Sequence, residues 1–210
     1  MDKLAIFDVD YTLTSQETQI IFLKFLAKKQ PASLLHLPKS AAAGVLYTLD
    51  IWDEKAAKET HWSMLKGRTE AQVSALAKMF FDEAIKPILY VDALLEMRRL
   101  KTAGYRIILS SASPEFYIRE FQRSPMVETA MGTRFEFKNG LFTASMIGKN
   151  NKGEEKVRRL LEYLGDEEID WSNSRMYSDS LSDRPLLDMV GRGYLINHQP
   201  NRVFQVLDWK

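Results

Sequence analysis

The sequence predicts an α/β fold: a three-layer α/β/α core with a mostly parallel sheet, and a helical cap inserted into it. Three observations predict it. Short apolar runs ending in polar turn residues recur at 3–8, 106–111, 174–178 and 193–197, and runs of that length read as buried strands. Helical spacing separates the later runs, and strand–helix alternation is the pattern of a parallel sheet with helices on both faces. Between about residues 15 and 85 the pattern is helical throughout. The expected organisation is therefore a core from residues 1–14 and 86–210, with 15–85 as the cap over the carboxyl ends of the strands, where open α/β sheets bind ligands.

Each element has its own signal. Residues 17–29 place Ile20, Ile21, Phe22, Phe25 and Leu26 at helical spacing. DEKAAKETHWSMLK ends at Gly67, a C-cap residue. TEAQVSALAKMFF starts with Thr69 and Gln72 at capping-box spacing. Lys86-Pro87 breaks the pattern, and a helix near 91–102 stops at Gly104. Ser113-Pro114 reads as a helix start with proline in its first turn. RFEFKNGLFTASM is expected to be a hairpin turning at Asn139-Gly140. A helix from about 153 ends at Gly165, and another runs from Pro185 to Gly191.

Composition narrows the function classes. The chain has 210 residues, 45% hydrophobic and 27% charged, which is globular rather than disordered. Its 29 basic and 28 acidic residues give a net charge of +1, so there is no electrostatic case for nucleic acid. With no cysteine, disulfide and thiolate chemistry are excluded and a cytoplasmic location is expected. The N-terminus has no basic–apolar–small signal pattern. PASLLHLPKSAAAGVLYTL is the most apolar stretch, but His36, Pro38 and Lys39 interrupt it. Buried helices are expected there, and membrane contact is not favoured.

The chemistry lies at the strand ends. Asp8 and Asp10 follow the first strand two residues apart, and in extended chain they point the same way. Asp179 and Asp183 follow the strand ending in MYS. Ser111 ends another strand, and Lys152 and Lys156 open a helix. Singly, each is an ordinary cap, turn or surface residue. Jointly they suit phosphoryl transfer. A carboxylate cluster fits Mg²⁺, which takes few protein ligands plus water and phosphate. A carboxylate attacking a phosphate dianion needs its repulsion offset by a metal and a lysine, each opposing charge being worth about 4 kcal/mol at ~4 Å. A second carboxyl must protonate the leaving group and later deprotonate water.

In the order DVDYTLT, IILSSAS, a lysine at a helix start, and YSDSLSD, the chain resembles the four motifs of the haloacid dehalogenase superfamily, from residue 4 to about 197. The helical block between the first two motifs is similar to that of the phosphoserine-phosphatase-like branch (subfamily IB). The YSDS form also resembles a bacterial group that includes a phosphatidylglycerophosphate phosphatase.

The resemblance implies a Rossmann-like core and a Mg²⁺-dependent phosphatase acting on a small phosphorylated substrate through an aspartyl-phosphate. Asp8 is implied as nucleophile and Mg²⁺ ligand. Asp10 is implied as general acid/base that also gives its carbonyl to the metal, and Asp179 as the other metal ligand. Asp183 supports the metal and substrate side. Ser111 and a lysine hold the phosphoryl group, Lys156 being preferred because Gly153 to Val157 reads G-x-x-K-V; Lys152 is the alternative. Thr12, Ala112 and Glu17 complete the substrate-binding set. An acid two residues after the nucleophile position favours phosphatase over dehalogenase.

Two departures stand out. Tyr11 replaces the usual glycine, which is harmless if φ there stays negative, and Ser178 replaces the glycine of the fourth motif. No arginine occurs between Asp2 and Gly67 for a substrate carboxylate, so phosphoserine is disfavoured; Lys58, His61 or Lys66 are the substitutes. Glu17 is equally readable as a helix cap, and His61 and Trp62 are expected to pack between cap helices. The alternatives to turnover are a signalling or binding protein on a phosphatase-like fold. The alternative substrate is a lipid phosphate such as phosphatidylglycerophosphate.

Overall fold

The computed structural model describes residues 1–31, 35 and 37–210. Strand β1 (Lys3–Phe7) is the centre of a six-stranded parallel sheet. Its neighbours are β2 (Tyr105–Pro114) and β6 (Arg175–Ser178). Outside these lie β3 (Val127–Thr133) on one side, and β7 (Arg192–Ile196) and β8 (Gln205–Leu207) on the other, in the order β3-β2-β1-β6-β7-β8. All pairs within it are parallel.

The near-continuous apolar run of β1 follows from burial on both faces. Ala5 and Phe7 enter one hydrophobic cluster, and Leu4 and Ile6 another on the opposite face, as the two-residue period of a strand requires. Phe7 stacks on Tyr177 at 4.5 Å between centroids, and Tyr177 on Tyr194 at 4.9 Å. Helix α5 (Val91–Thr102) covers the first face. Helices α7 (Glu154–Leu164) and α8 (Arg184–Met189) cover the second through Leu160, Leu164, Leu186 and Leu187.

Between β1 and β2 come α1 (Thr18–Lys29), α2 (Leu37–Thr48), α3 (Glu54–Trp62) and α4 (Glu70–Phe80). Asp53 caps α3 by accepting from the Ala56 amide, and α4 carries the full Thr69–Gln72 capping box. The antiparallel hairpin of β4 (Phe135–Lys138) and β5 (Leu141–Met146) leaves the sheet and joins the helices. The Gly67 amide donates to Phe142 O, the Phe142 amide to Arg68 O, and the Met146 amide to Glu59. The hairpin turns at Asn139 and Gly140, both at positive φ, as such two-residue turns demand.

Three expectations need correction. Residues Ser113 and Pro114 do not open a helix: β2 runs on through them with a register shift, and the short helix α6 (Glu115–Ile118) starts after Pro114. The apolar stretch near 31–49 is helical at α2 but not buried. Ser40 and Ala43 are covered, whereas Val45, Tyr47 and Leu49 are exposed, because α2 packs on α3 through one narrow face of small residues. Leu34 and His36 of that stretch lie outside the described residues. Strands β3 and β8 were not expected. Among the described residues no helix is long and apolar enough to cross a membrane.

Candidate active site

The loop after β1 is built around one acceptor. The amides of Thr12, Leu13 and Thr14, and the Thr14 hydroxyl, all donate to Val9 O. Wrapping the chain this tightly puts Tyr11 at φ +54. The condition that would make this residue harmless is therefore not met: a tyrosine occupies left-handed backbone that favours glycine. Its side chain is 44% exposed.

This loop turns Asp8 inward. The Asp8 amide donates to Tyr177 O, extending the β1–β6 ladder by one bond. Lys156, two residues inside α7 and fully buried, donates to Asp8 Oδ1 at 2.8 Å and to Asp183 Oδ2 at 2.6 Å. Ser178 also donates to Asp183 Oδ2, while Asp183 Oδ1 is buried without a partner. The Asp179 amide donates to Thr12 Oγ1 at 2.8 Å, tying the fourth motif to the first. Lys152 is exposed and lines a cleft of about 830 Å³ with Glu54, Lys149, Asn150 and Ser182, and none of the four strand-end aspartates lines it. Lys156, and not Lys152, makes the carboxylate contacts.

Electrostatics follow from burial. It pushes the Asp8 carboxyl up to about 8, with Asp183 and Asp10 adding to the rise and Lys156 opposing it. Burial works against the charge of Lys156, but Asp8 and Asp183 more than reverse this, and the lysine keeps its proton. Burial and Asp183 push Asp179 up to about 6. Lys156 thus serves two buried carboxyls, Asp8 and Asp183, and burial makes Asp8 and Asp179 hold their charge reluctantly. That donor set fits Mg²⁺. The Asp8 and Asp179 carboxylates and the Asp10 carbonyl would offer hard oxygen donors, and few of them, as that ion prefers. Among the described residues no group of three or more acidic, histidine or cysteine side chains forms a metal cage of its own.

Asp10 sits differently. Its Oδ1 accepts from the Thr18 amide at 2.6 Å and its Oδ2 from Ser113 Oγ at 2.7 Å. It thereby caps α1 from a distance. Glu17 holds the N-cap position, but its side chain makes no cap bond; it is left facing the site, with its carboxyl pushed up by burial and by Asp10. Ser111 Oγ is 3.5 Å from Asp10 Oδ2 and accepts from the Ser113 amide.

The helices supply a roof. Lys58 on α3 donates to Ala112 O and Asn150 Oδ1, both at 2.7 Å, and Asn150 Nδ2 donates to Glu54. Thr133 Oγ1 is 2.7 Å from the same two oxygens. Burial lowers Lys58 to about 8, with Glu54, Asp10 and Glu17 opposing the drop. His61 bonds Ser40 through Nδ1. Trp62 is wholly buried among Phe22, Phe116, Tyr117 and Phe135. Lys66 is exposed.

Thr18, Ser113, Tyr117, Asn150 and Asn151 were not identified from sequence. Asn151 is fully buried and donates to Ser110 Oγ, Ser111 O and Met131 O, holding the second-motif strand against the loop before α7. A signal existed for Ser113: a strand continuing past Ser111 places it on the same face.

The chain is similar to known proteins over most of its length. Protein CicA of Caulobacter vibrioides is 28% identical over 195 residues, spanning 92% of this chain and 86% of that protein. Phosphoserine phosphatase SerB1 of Mycobacterium tuberculosis is 27% identical over 198 residues, 92% of this chain and 64% of that one. A crystal structure of a Bordetella pertussis protein of unknown function superposes with a TM-score of 0.86 at 26% identity, covering 99% of both chains. The sequence model of the haloacid dehalogenase-like hydrolases matches residues 5–188, from the first motif past the fourth. A parallel sheet with β1 at its centre, two acids on the loop after it, and a lysine and two further acids brought back from more than 140 residues away place the chain in the haloacid dehalogenase-like hydrolase family.

Proposed function

We propose that the chain is a Mg²⁺-dependent phosphatase that hydrolyses a phosphomonoester through an aspartyl-phosphate on Asp8. The observation that carries this is the buried Lys156 bridge between Asp8 and Asp183, with Asp10 and Asp179 beside it. Asp8 and Asp179 carboxylates and the Asp10 carbonyl would hold Mg²⁺, which supplies charge to offset the repulsion between carboxylate and phosphate. An Asp8 oxygen attacks phosphorus as the bond to the leaving oxygen breaks, and Asp10 gives that oxygen its proton. Water then attacks phosphorus, Asp10 takes a proton from it, and the Asp8–phosphorus bond breaks to release phosphate. Lys156, Ser111, Thr12 and Ala112 orient the phosphoryl group. The helices of residues 15–85 act as a cap that excludes other water.

Glu17 and Lys58, which interact electrostatically over the site, favour a small substrate whose leaving group carries an amine and an anion. Phosphoserine, for which relatives are named, carries both groups, whereas histidinol phosphate, for which a Neisseria meningitidis relative at 25% identity is named, carries the amine without the anion.

The test is phosphate release from a panel of phosphomonoesters with Mg²⁺ and with EDTA, for wild type and Asp8→Asn. The panel includes O-phosphoserine, histidinol phosphate and phosphatidylglycerophosphate. Release should require the metal and fall more than about 10³-fold in the variant. Wild-type turnover by Asp8→Asn would remove Asp8 as nucleophile.

A further inference from the structure

Asp10 is reached by side chains outside the four motifs' charged residues. Ser113 Oγ donates to Asp10 Oδ2 at 2.7 Å. Thr18 Oγ1 lies 3.0 Å from Ser113 Oγ and 3.0 Å from the Tyr117 hydroxyl. Thr18, Ser113 and Tyr117 are all fully buried. Asp10 Oδ2 accepts from Ser113, and a hydroxyl has one proton to give, so the Ser113 proton is committed to Asp10. Ser113 must then accept from Thr18, and Thr18 from Tyr117. The three hydroxyls form one directed relay ending on the carboxylate, and in a dry interior each bond polarises the next.

The relay crosses three elements. Thr18 is the first residue of α1, Ser113 belongs to β2, and Tyr117 to α6. The Tyr117 ring is fixed by the helical block: it stacks on Phe22 of α1 at 5.9 Å, meets Phe80 of α4 edge-on at 5.2 Å and lies 6.0 Å from Trp62 of α3. Burial and the nearby Asp10 charge also hold its hydroxyl well above the ordinary 10.0, so it remains a donor.

We propose that Tyr117 is a positioning residue for Asp10, the distal donor of a buried hydroxyl relay that sets the Asp10 carboxylate only while α1 is docked on the core. The role rests on Asp10 being the general acid/base of the proposed phosphatase. It makes the seating of the helical block a condition for proton transfer, since Thr18 supplies both an amide to Oδ1 and a link in the relay to Oδ2.

The experiment compares Tyr117→Phe, Ser113→Ala and the double variant, using the alkyl phosphomonoester from the panel that wild type turns over best. Tyr117→Phe removes one oxygen from an aromatic site and keeps the ring. It should lower kcat about tenfold with KM within about twofold. The pre-steady-state burst of p-nitrophenolate from p-nitrophenyl phosphate should be unchanged, because that leaving group departs without a proton. The double variant should be no slower than Ser113→Ala alone, since cutting the relay at Ser113 already disconnects Tyr117. A burst reduced as much as alkyl turnover, or additive losses, would overturn the relay. Crystal structures of wild type and Tyr117→Phe give a readout that needs no turnover. The Asp10 carboxylate should leave its wild-type orientation while Asp8 keeps its own; an Asp10 carboxylate left in place would overturn the proposal. Absence of Asp8-dependent turnover in wild type would instead sink the phosphatase reading.

Discussion

Lys58 Nζ donates to the carbonyl of Ala112 at 2.7 Å, joining a helix of the inserted block to the strand that carries Ser111. The lysine is half-buried, and its charge is held beside Glu17, Asp10 and Glu54 rather than paired with one of them.

If Lys58 meets an anion on the leaving group, Lys58→Met should raise KM about tenfold, roughly 1.4 kcal/mol of binding, and change kcat less. Lys58→Arg should recover most of the loss. Burial lowers this lysine to about 8, so the charge fades as pH rises through 8 and wild-type KM should climb there. Steady-state kinetics between pH 6.5 and 9.5 check both. A Lys58→Met enzyme with unchanged KM would remove the lysine from substrate binding.

Among the described residues Lys156 is the cation that bridges Asp8 and Asp183. Lys156→Met leaves two buried carboxyls facing each other, and removing one partner of a buried ion pair costs about 3–5 kcal/mol. The urea midpoint should fall accordingly, and phosphate release should be lost. Protonating the carboxyls relieves the repulsion, so the stability deficit should shrink at low pH. A variant as stable as wild type at pH 7 would contradict the pairing seen here.

His61 should give stability a pH dependence whose sign follows from its burial. Burial and then the Lys58 charge lower it to about 4, from 6.5. The unfolded chain takes up a proton below 6.5 while the folded chain does not until about 4. Stability is therefore lost as pH falls through that window, by about 3 kcal/mol in total. Urea unfolding of wild type and His61→Gln at pH 7 and pH 5 isolates the effect, because the variant should lack this share of the loss. Equal losses in both proteins would show that His61 titrates normally.

Tyr11 at φ +54 holds a conformation that costs a non-glycine residue about 1–2 kcal/mol. Glycine relieves this but gains freedom in the unfolded chain, worth about 0.4–1 kcal/mol. Tyr11→Gly should therefore stabilise the protein by roughly 0.5–1 kcal/mol in urea unfolding. Net destabilisation would mean that the half-exposed ring makes contacts worth more than the backbone strain.

Much of this site was legible because its charged residues sit where local patterns end. Asp8 and Asp10 close an apolar run, Lys156 opens a helix, and Asp179 and Asp183 follow a strand. The capping box of α4 and the Asn139–Gly140 turn were legible for the same local reason. What was not legible depends on distant partners. Thr18 and Ser113 meet across 95 positions, and Thr18 and Tyr117 across 99, with no periodicity to announce it. Strand β3, VETAMGT, was missed because its small and polar residues do not alternate, and it is held by pairing with β2 along one edge. The apolar residues of α2 misled for the opposite reason: hydrophobicity reports what can be buried, and only packing against α3 decides which side is.

The central place of β1 has a kinetic consequence. Its Ala5 pairs with Ile107 on one side and Arg175 on the other. A ribosome adding 5–20 residues per second needs roughly 10–30 s to deliver β6 after β1. Through that interval Leu4, Ala5, Ile6 and Phe7 have no complete sheet to enter. Of the six strands of this sheet the earliest made is enclosed on both edges only after β6 arrives, so the nascent chain carries an adhesive apolar segment throughout that interval. Its folding yield should be sensitive to crowding on the ribosome and to chaperones that shield extended apolar chain.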